Sequence, residues 1–305
     1  MASNEMETLK AGMKMMMAQG FAPKFDGSMD PLHLRAIVQA AQERMSTEPG
    51  VAFIPKTYAR IEAEISMPES ARDDYLIVYI HGGGLICGNA FSSRGYASVL
   101  AAETKHPVVS FSYRLAPENP FPAAVDDCFA VYRALLEEYP DTPIFLTGES
   151  GGAYLSLVTA MKCRDEGVKK PAAMALHSPV IEFSGKLDRH FEDNEDFTIN
   201  PDTIGSMGEM YMAPEAGGDR YAEPWYDELS CLPPTFLSWD ENESLSVDAQ
   251  IVAERLRKAG TEVETLSYPH CFHAFATTGR GTPESYEVMK QSIAFFNSQS
   301  SSTEI

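Results

Sequence analysis

The residues of this chain best suited to chemistry are a serine held between glycines and two histidines far downstream of it. Ser150 lies in Gly148-Glu149-Ser150-Gly151-Gly152, where the apolar run Pro143-Ile144-Phe145-Leu146-Thr147 stops and a helical pattern begins. In a strand-to-helix turn of this kind the serine is held at strained backbone angles, its neighbours must lack bulk, and its hydroxyl is exposed. The first N–H groups of the following helix point at whatever sits on that oxygen and stabilise negative charge there. That is the chemistry of a nucleophile. Upstream, His81-Gly82-Gly83-Gly84 closes another apolar run. Its glycines leave backbone N–H groups free to approach a reacting atom, as an oxyanion hole requires. A serine nucleophile also needs a base, and the base needs a carboxylate to hold its tautomer. Tyr268-Pro269-His270-Cys271-Phe272-His273-Ala274-Phe275 offers His270 and His273, which position alone does not separate. His177 falls inside a buried-strand pattern and His190 in a polar stretch, so both read as structural or exposed.

The elements that must position these residues alternate between strand and helix. The first 50 residues read as two helices and a loop. Leu9, Met13, Met16 and Met17 recur at helical spacing, and Asp30-Pro31 supplies an N-cap and first-turn proline for a helix carrying Leu34, Ile37, Val38, Ala41 and Met45. The methionine stripe reads as packing surface, with a lid over a pocket as its second reading. Residues 51–67 alternate, as in Ala59-Arg60-Ile61-Glu62-Ala63-Glu64-Ile65, which predicts an antiparallel strand with one wet face. Tyr75-Leu76-Ile77-Val78-Tyr79-Ile80 and Pro107-Val108-Val109-Ser110-Phe111 are continuously apolar and predict strands covered on both faces. Helical patterns over 92–105, 123–139 and 150–165 separate these from the strand before Ser150 and from a strand over 172–180. This rhythm means βαβ units and a parallel sheet. Residues 181–230 interrupt it with an acid-rich, turn-rich stretch carrying Phe191, Phe197, Tyr211, Tyr221, Trp225 and Tyr226. The rhythm resumes with a strand over 235–239, a helix over 245–259, a strand over 262–268 and a helix over 283–297. Residues 298–305 read as a loose tail.

Composition narrows the classes. The 305 residues can bury a sizeable core, and 24 Lys+Arg against 44 Asp+Glu leave a net charge of -20. That balance argues against a sequence-independent grip on nucleic acid or anionic membrane. Five cysteines without a CxxC pair predict neither a disulfide framework nor a zinc site, and fit a reducing cytoplasm. The N-terminus shows no targeting pattern, and no apolar run approaches the roughly 20 residues of a membrane span.

Taken together, His81-Gly82-Gly83-Gly84, the stretch Tyr113-Arg114-Leu115-Ala116-Pro117-Glu118-Asn119-Pro120-Phe121-Pro122-Ala123-Ala124-Val125-Asp126-Asp127, the Ser150 turn and the His273 segment resemble the hormone-sensitive-lipase-like esterases of the α/β-hydrolase fold. The match spans roughly residues 51–297. It implies a mostly parallel sheet flanked by helices, with a core over 51–180 and 231–297 and a helical cap from residues 1–50 and the 181–230 insertion. It further implies hydrolysis of short- to medium-chain carboxylic esters with no metal and no organic cofactor, and homodimers through an edge strand are known in the family. In the family's Tyr-Pro-x-x-x-His-x-Phe pattern the catalytic histidine falls on His273. The acid departs from pattern: family members carry Asp-Pro-Leu and a further Asp, whereas this chain reads Trp239-Asp240-Glu241-Asn242-Glu243-Ser244-Leu245. Registering on Leu245 places the acid at Glu243, with Asp240 as runner-up. Implied oxyanion donors are Gly82, Gly83 and Gly151, and Arg114 and Asp127 are expected to be structural. An amidase or specialised deacylase would use the same triad. A non-catalytic small-molecule receptor on this fold is the reading from another class, and the presence of His273 counts against it.

Overall fold

The computed structural model describes every residue except 22–29, 43–44, 191–192 and 302–305. Phe191 of the insertion and the last four residues of the expected tail therefore lie outside the described residues.

Helices α1 (Asn4–Ala18) and α2 (Pro31–Gln42) precede the sheet, and Asp30 caps α2 by accepting from the N–H groups of Leu32 and His33. The alternating stretch is two strands rather than one, β1 (Val51–Tyr58) and β2 (Ile61–Pro68), paired antiparallel from Val51↔Pro68 to Tyr58↔Ile61. The reversal is made by Ala59 and Arg60 at φ 49° and 69°. A two-residue hairpin turn wants positive φ, normally signalled by Asn-Gly or Asp-Gly, and Ala-Arg carries no such signal.

Next come β3 (Leu76–Ile80), α3 (Arg94–Thr104), β4 (Val108–Phe111), α4 (Ala123–Glu138), β5 (Ile144–Glu149), α5 (Gly151–Glu166) and β6 (Ala173–His177). Among its described residues the insertion holds one α-helix, α6 (Pro201–Tyr211), before β7 (Thr235–Asp240), α7 (Ser246–Lys258), β8 (Val263–Tyr268) and α8 (Pro283–Ser301). α8 thus continues through Ser298, where a loose tail was expected. The eight strands form one sheet in the order β1-β2-β4-β3-β5-β6-β7-β8, parallel from β4 to β8.

The continuous apolar runs are explained by two cores, one on each face. In β3, Leu76, Val78 and Ile80 join a core with α4, α5 and α7, while Ile77 and Tyr79 face α3 and α8 on the other side. α5 lies in the middle of the first layer, and most of its length is buried all round. Met6 of α1 is fully buried in the second core with Leu9 and Met13 packed against it, while Met15 and Met16 are exposed. The first half of the methionine stripe is therefore packing surface. Crossing a membrane is not open to any helix among the described residues, none being long and apolar enough.

Candidate active site

The site starts from β5. At its end Ser150 takes φ 56° and ψ -123°, and its N–H donates to His177 O at 2.9 Å on the neighbouring strand. Side chains at the flanking positions would collide with backbone. A Cβ on Gly148 would stand 2.6 Å from Ile80 O, and one on Gly152 only 2.0 Å from it. The elbow therefore needs glycine at both places because β3 runs too close for anything else. Ser150 begins α5, whose first N–H groups have no intrahelical acceptor, so Gly151 presents a donor beside the hydroxyl.

The glycine run after β3 approaches the same point, with one change from expectation. Gly82 N–H donates to Glu149 Oε1 at 2.7 Å and so is already occupied. Gly83 and Gly84, at φ 100° and 61°, line the cavity in front of Ser150. On this loop it is Gly83 and Gly84, not Gly82, that face the cavity. The expectation for Gly82 missed because family position could not reveal that the residue before the serine, a glutamate here, would reach back to this N–H. Glu149 is partly buried, and desolvation pushes its carboxyl up to about 7, against the hydrogen bonds from Tyr79 and Gly82. His81 is a structural neighbour: it stacks on Tyr113 with ring centroids 4.2 Å apart, and burial holds it down at about 4.

His273 lies in the loop after β8 and also lines the cavity. Its Nδ1 donates to Glu243 Oε2 at 2.6 Å, leaving Nε2 for a proton from the serine. Glu243 is fully buried in the β7–α7 loop, where its Oε1 accepts from Asp240 N at 3.2 Å. Ser178, at φ 48° just past β6, supplies a further hydrogen bond to Glu243 and accepts Ala274 N at 3.2 Å, joining the acid loop to the histidine loop. Burial lowers the affinity of His273 for a proton, but Glu243, then Asp196 and Glu149, more than offset this, and the net shift is upward.

Asp240 and His270, the two runners-up, go elsewhere. Asp240 ends β7 and accepts from Asn242 N at 3.3 Å, while burial and the neighbouring Glu243 charge push it up to about 7. His270 points outward and pairs with Glu195 at 3.0 Å. His177 is buried with Nδ1 2.7 Å from Ser238 Oγ, and His190 is exposed. Arg114 and Asp127 form a bidentate pair that also fixes the Arg114 N–H.

The cavity over Ser150 has a volume of about 170 Å³. Its wall is apolar, with Phe183, Ile199, Ile204 and Met207 coming from the insertion and Val180 and Leu245 from the core. A larger surface groove of about 580 Å³, bordered by Trp225, Glu228 and Arg255, contains neither Ser150 nor His273. Sequence patterns singled out none of Ser178, Asp196 or the Phe183–Met207 wall. Only the glycine after Gly83 was on view, as part of the run.

Residues 77–277 match the model of the alpha/beta hydrolase fold family. The chain belongs to that family. Among α/β-hydrolases, an acetyl-hydrolase of Streptomyces hygroscopicus is 31% identical over 73% of this chain and 76% of its own. An esterase of Acinetobacter venetianus is 26% identical over 89% of this chain and 90% of its own. In three dimensions, an esterase of the bacterial hormone-sensitive lipase family superposes with a TM-score of 0.89 at 26% identity, covering 98% of this chain and 99% of that one. The likeness to hormone-sensitive-lipase-like esterases thus extends over nearly the whole α/β-hydrolase chain.

Proposed function

We propose that this protein hydrolyses short- to medium-chain acyl esters through an acyl-enzyme formed on Ser150. The protein is a serine carboxylesterase of the α/β-hydrolase class, and the finer reading assigns the steps. Ser150 Oγ attacks the ester carbonyl as His273 Nε2 takes its proton, and Glu243 holds the Nδ1–H and stabilises the imidazolium. The carbonyl oxygen, negative in the tetrahedral intermediate, is held by the N–H groups of Gly83, Gly84 and Gly151. His273 returns its proton to the leaving alcohol, and water repeats the sequence to release the acid. Residues 1–50 and 181–230 act as the cap over the 51–180 and 231–297 core, the insertion supplying most of the acyl wall.

The observation that carries this reading is the 2.6 Å bond between His273 and the buried Glu243 at the edge of a cavity that also holds the strained Ser150. A cavity of about 170 Å³ with an apolar wall supports a short acyl group. The test is a p-nitrophenyl ester series from acetate to dodecanoate, run beside covalent labelling with an organophosphate. The expected result is a maximum at the short-chain end of the series, with the label on Ser150. No turnover and no label at Ser150 would rule the reading out.

A further inference from the structure

Residues 193–197 of the insertion cross the acid–base end of the site and are tied to both of its loops. Asn242 Nδ2 donates to Asp193 O at 2.9 Å, Glu195 N donates to Asn242 O at 3.0 Å, and Asn194 Nδ2 donates to Ser244 Oγ at 3.0 Å. On the histidine loop, Glu195 pairs with His270, and the Phe197 and Phe272 rings lie 6.0 Å apart. Lys14 of α1 sits over Phe197, 4.7 Å from its ring centroid, and Lys10 Nζ donates to His270 O at 2.7 Å. The strap is therefore held from three sides.

Inside it Asp196 is aimed. Its Oδ1 accepts from Thr198 N at 2.9 Å and Thr198 Oγ1 at 2.6 Å, while its own N–H donates to Asn194 Oδ1 at 3.0 Å. Its Oδ2 is buried and has no hydrogen-bond partner. One oxygen of Asp196, one of Glu243 and one imidazole nitrogen of His273 all lie within 4.8 Å of one another. A buried carboxylate oxygen without a donor is destabilising unless a positive charge compensates it. The compensating charge at this place is the one that appears on His273 during the reaction.

We propose that Asp196 is a positioning residue of the acid–base pair, a second carboxylate carried by the cap that stabilises the His273 imidazolium as it forms. Asp196 acts through His273 and rests on the reading of His273 as the base. It makes the closed cap part of the proton-transfer apparatus, because the charge arrives on the insertion and not on the core.

The charged groups acting on His273 are Glu243 on the β7–α7 loop, with Asp240 behind it, Asp196 on the strap and Glu149 below the elbow; Lys10 meets the histidine loop at His270 O and lies near Cys271. Only neutral imidazole accepts the serine proton, so a raised His273 pKa costs activity on the acid side, and removing one carboxylate moves that limb to lower pH. An opposite charge within about 4–6 Å shifts a pKa by roughly 1–3 units when little screened. Asp196→Asn, which keeps shape and the Oδ1 acceptor, is expected to move the acid limb of kcat/KM down by about half a pH unit or more. Limiting kcat should fall several-fold with KM little changed, and Asp196→Glu should bring the limb back toward that of the wild type. A limb that stays in place or moves up overturns the proposal, whatever the loss of rate, because a purely structural strap would lower activity without moving it. Should Asp196→Asn not fold, Asp196→Ser, which removes the carboxylate without adding bulk, is expected to give the same downward shift, and no shift overturns the proposal. Hydrolysis that survived His273→Ala would instead remove the underlying reading of the base, a failure distinct from an unmoved limb.

Discussion

The two ends of the site are built in opposite ways. At the nucleophile end, one stretch of chain does nearly everything: five consecutive residues turn sharply at φ 56°, and glycines let β3 pass within collision distance. At the acid–base end, the loop after β7, the loop after β8, Ser178 after β6 and the 193–197 strap converge from distant parts of the chain. Their side-chain tips, rather than the backbone, set the geometry. The difference is one of tolerance. A backbone-built turn admits few sequences, whereas a carboxylate can reach an imidazole from more than one position on a loop, as Glu243 does here.

The largest effect that bears on this contrast is expected from the two acids. Glu243→Gln keeps the shape but loses the charge that holds the Nδ1–H, and kcat should drop by about a thousandfold or more, as for a carboxylate-to-amide change in other triads. Asp240→Asn should cost less than about tenfold, because its carboxyl accepts from the backbone of Asn242 and Cys271 and makes no bond to His273. Steady-state kinetics of both would settle the order, and a crippled Asp240 variant with a near-normal Glu243 variant would reverse the assignment.

Next in size is Gly152→Ala. Its Cβ would meet Ile80 O at 2.0 Å and His81 O at 2.6 Å, so strand and helix must part. A loss of about 1–3 kcal/mol or more in chemical denaturation is expected, with activity falling alongside. Gly12→Ala in α1, where nothing lies within 4 Å, should stay within about 1 kcal/mol of the wild type. Equal effects at the two positions would show that the elbow has more slack than the collision distances indicate. The smallest effect is expected at Met207, whose sulfur would lie 2.3 Å from a Cβ on Gly84 and whose side chain walls the cavity. Met207→Ala should raise the decanoate-to-butyrate ratio of kcat/KM several-fold, by the free energy of about one or two buried methylenes. An unchanged ratio would mean that the acyl chain does not lie along the insertion.

Legibility followed the same divide. The parallel sheet was readable because strands covered on both faces must be apolar throughout, as Leu76–Ile80 is, and because helical stretches separate them. The β1–β2 hairpin was not, since Ala59 and Arg60 turn the chain without glycine or asparagine. At the site, Ser150 stood out through local steric demands, and His273 and Glu243 through family pattern. Gly82 was assigned a free N–H that Glu149 takes at 2.7 Å, a contact between positions 67 residues apart. Asp196 carried no local signal, because one aspartate in an acid-rich stretch resembles its neighbours until the strap is fastened.

By itself, then, the sequence determined the α/β architecture, the elbow and the candidate nucleophile and base, each of which depends on near-neighbour sterics or on apolar periodicity. Tertiary structure alone decided that Glu149 takes the Gly82 N–H, and that the insertion presents an apolar wall and a second carboxylate to the site. Those outcomes depend on the positions of side-chain ends from distant segments, where a displacement of an ångström or two makes or breaks a hydrogen bond. No local pattern encodes that distance.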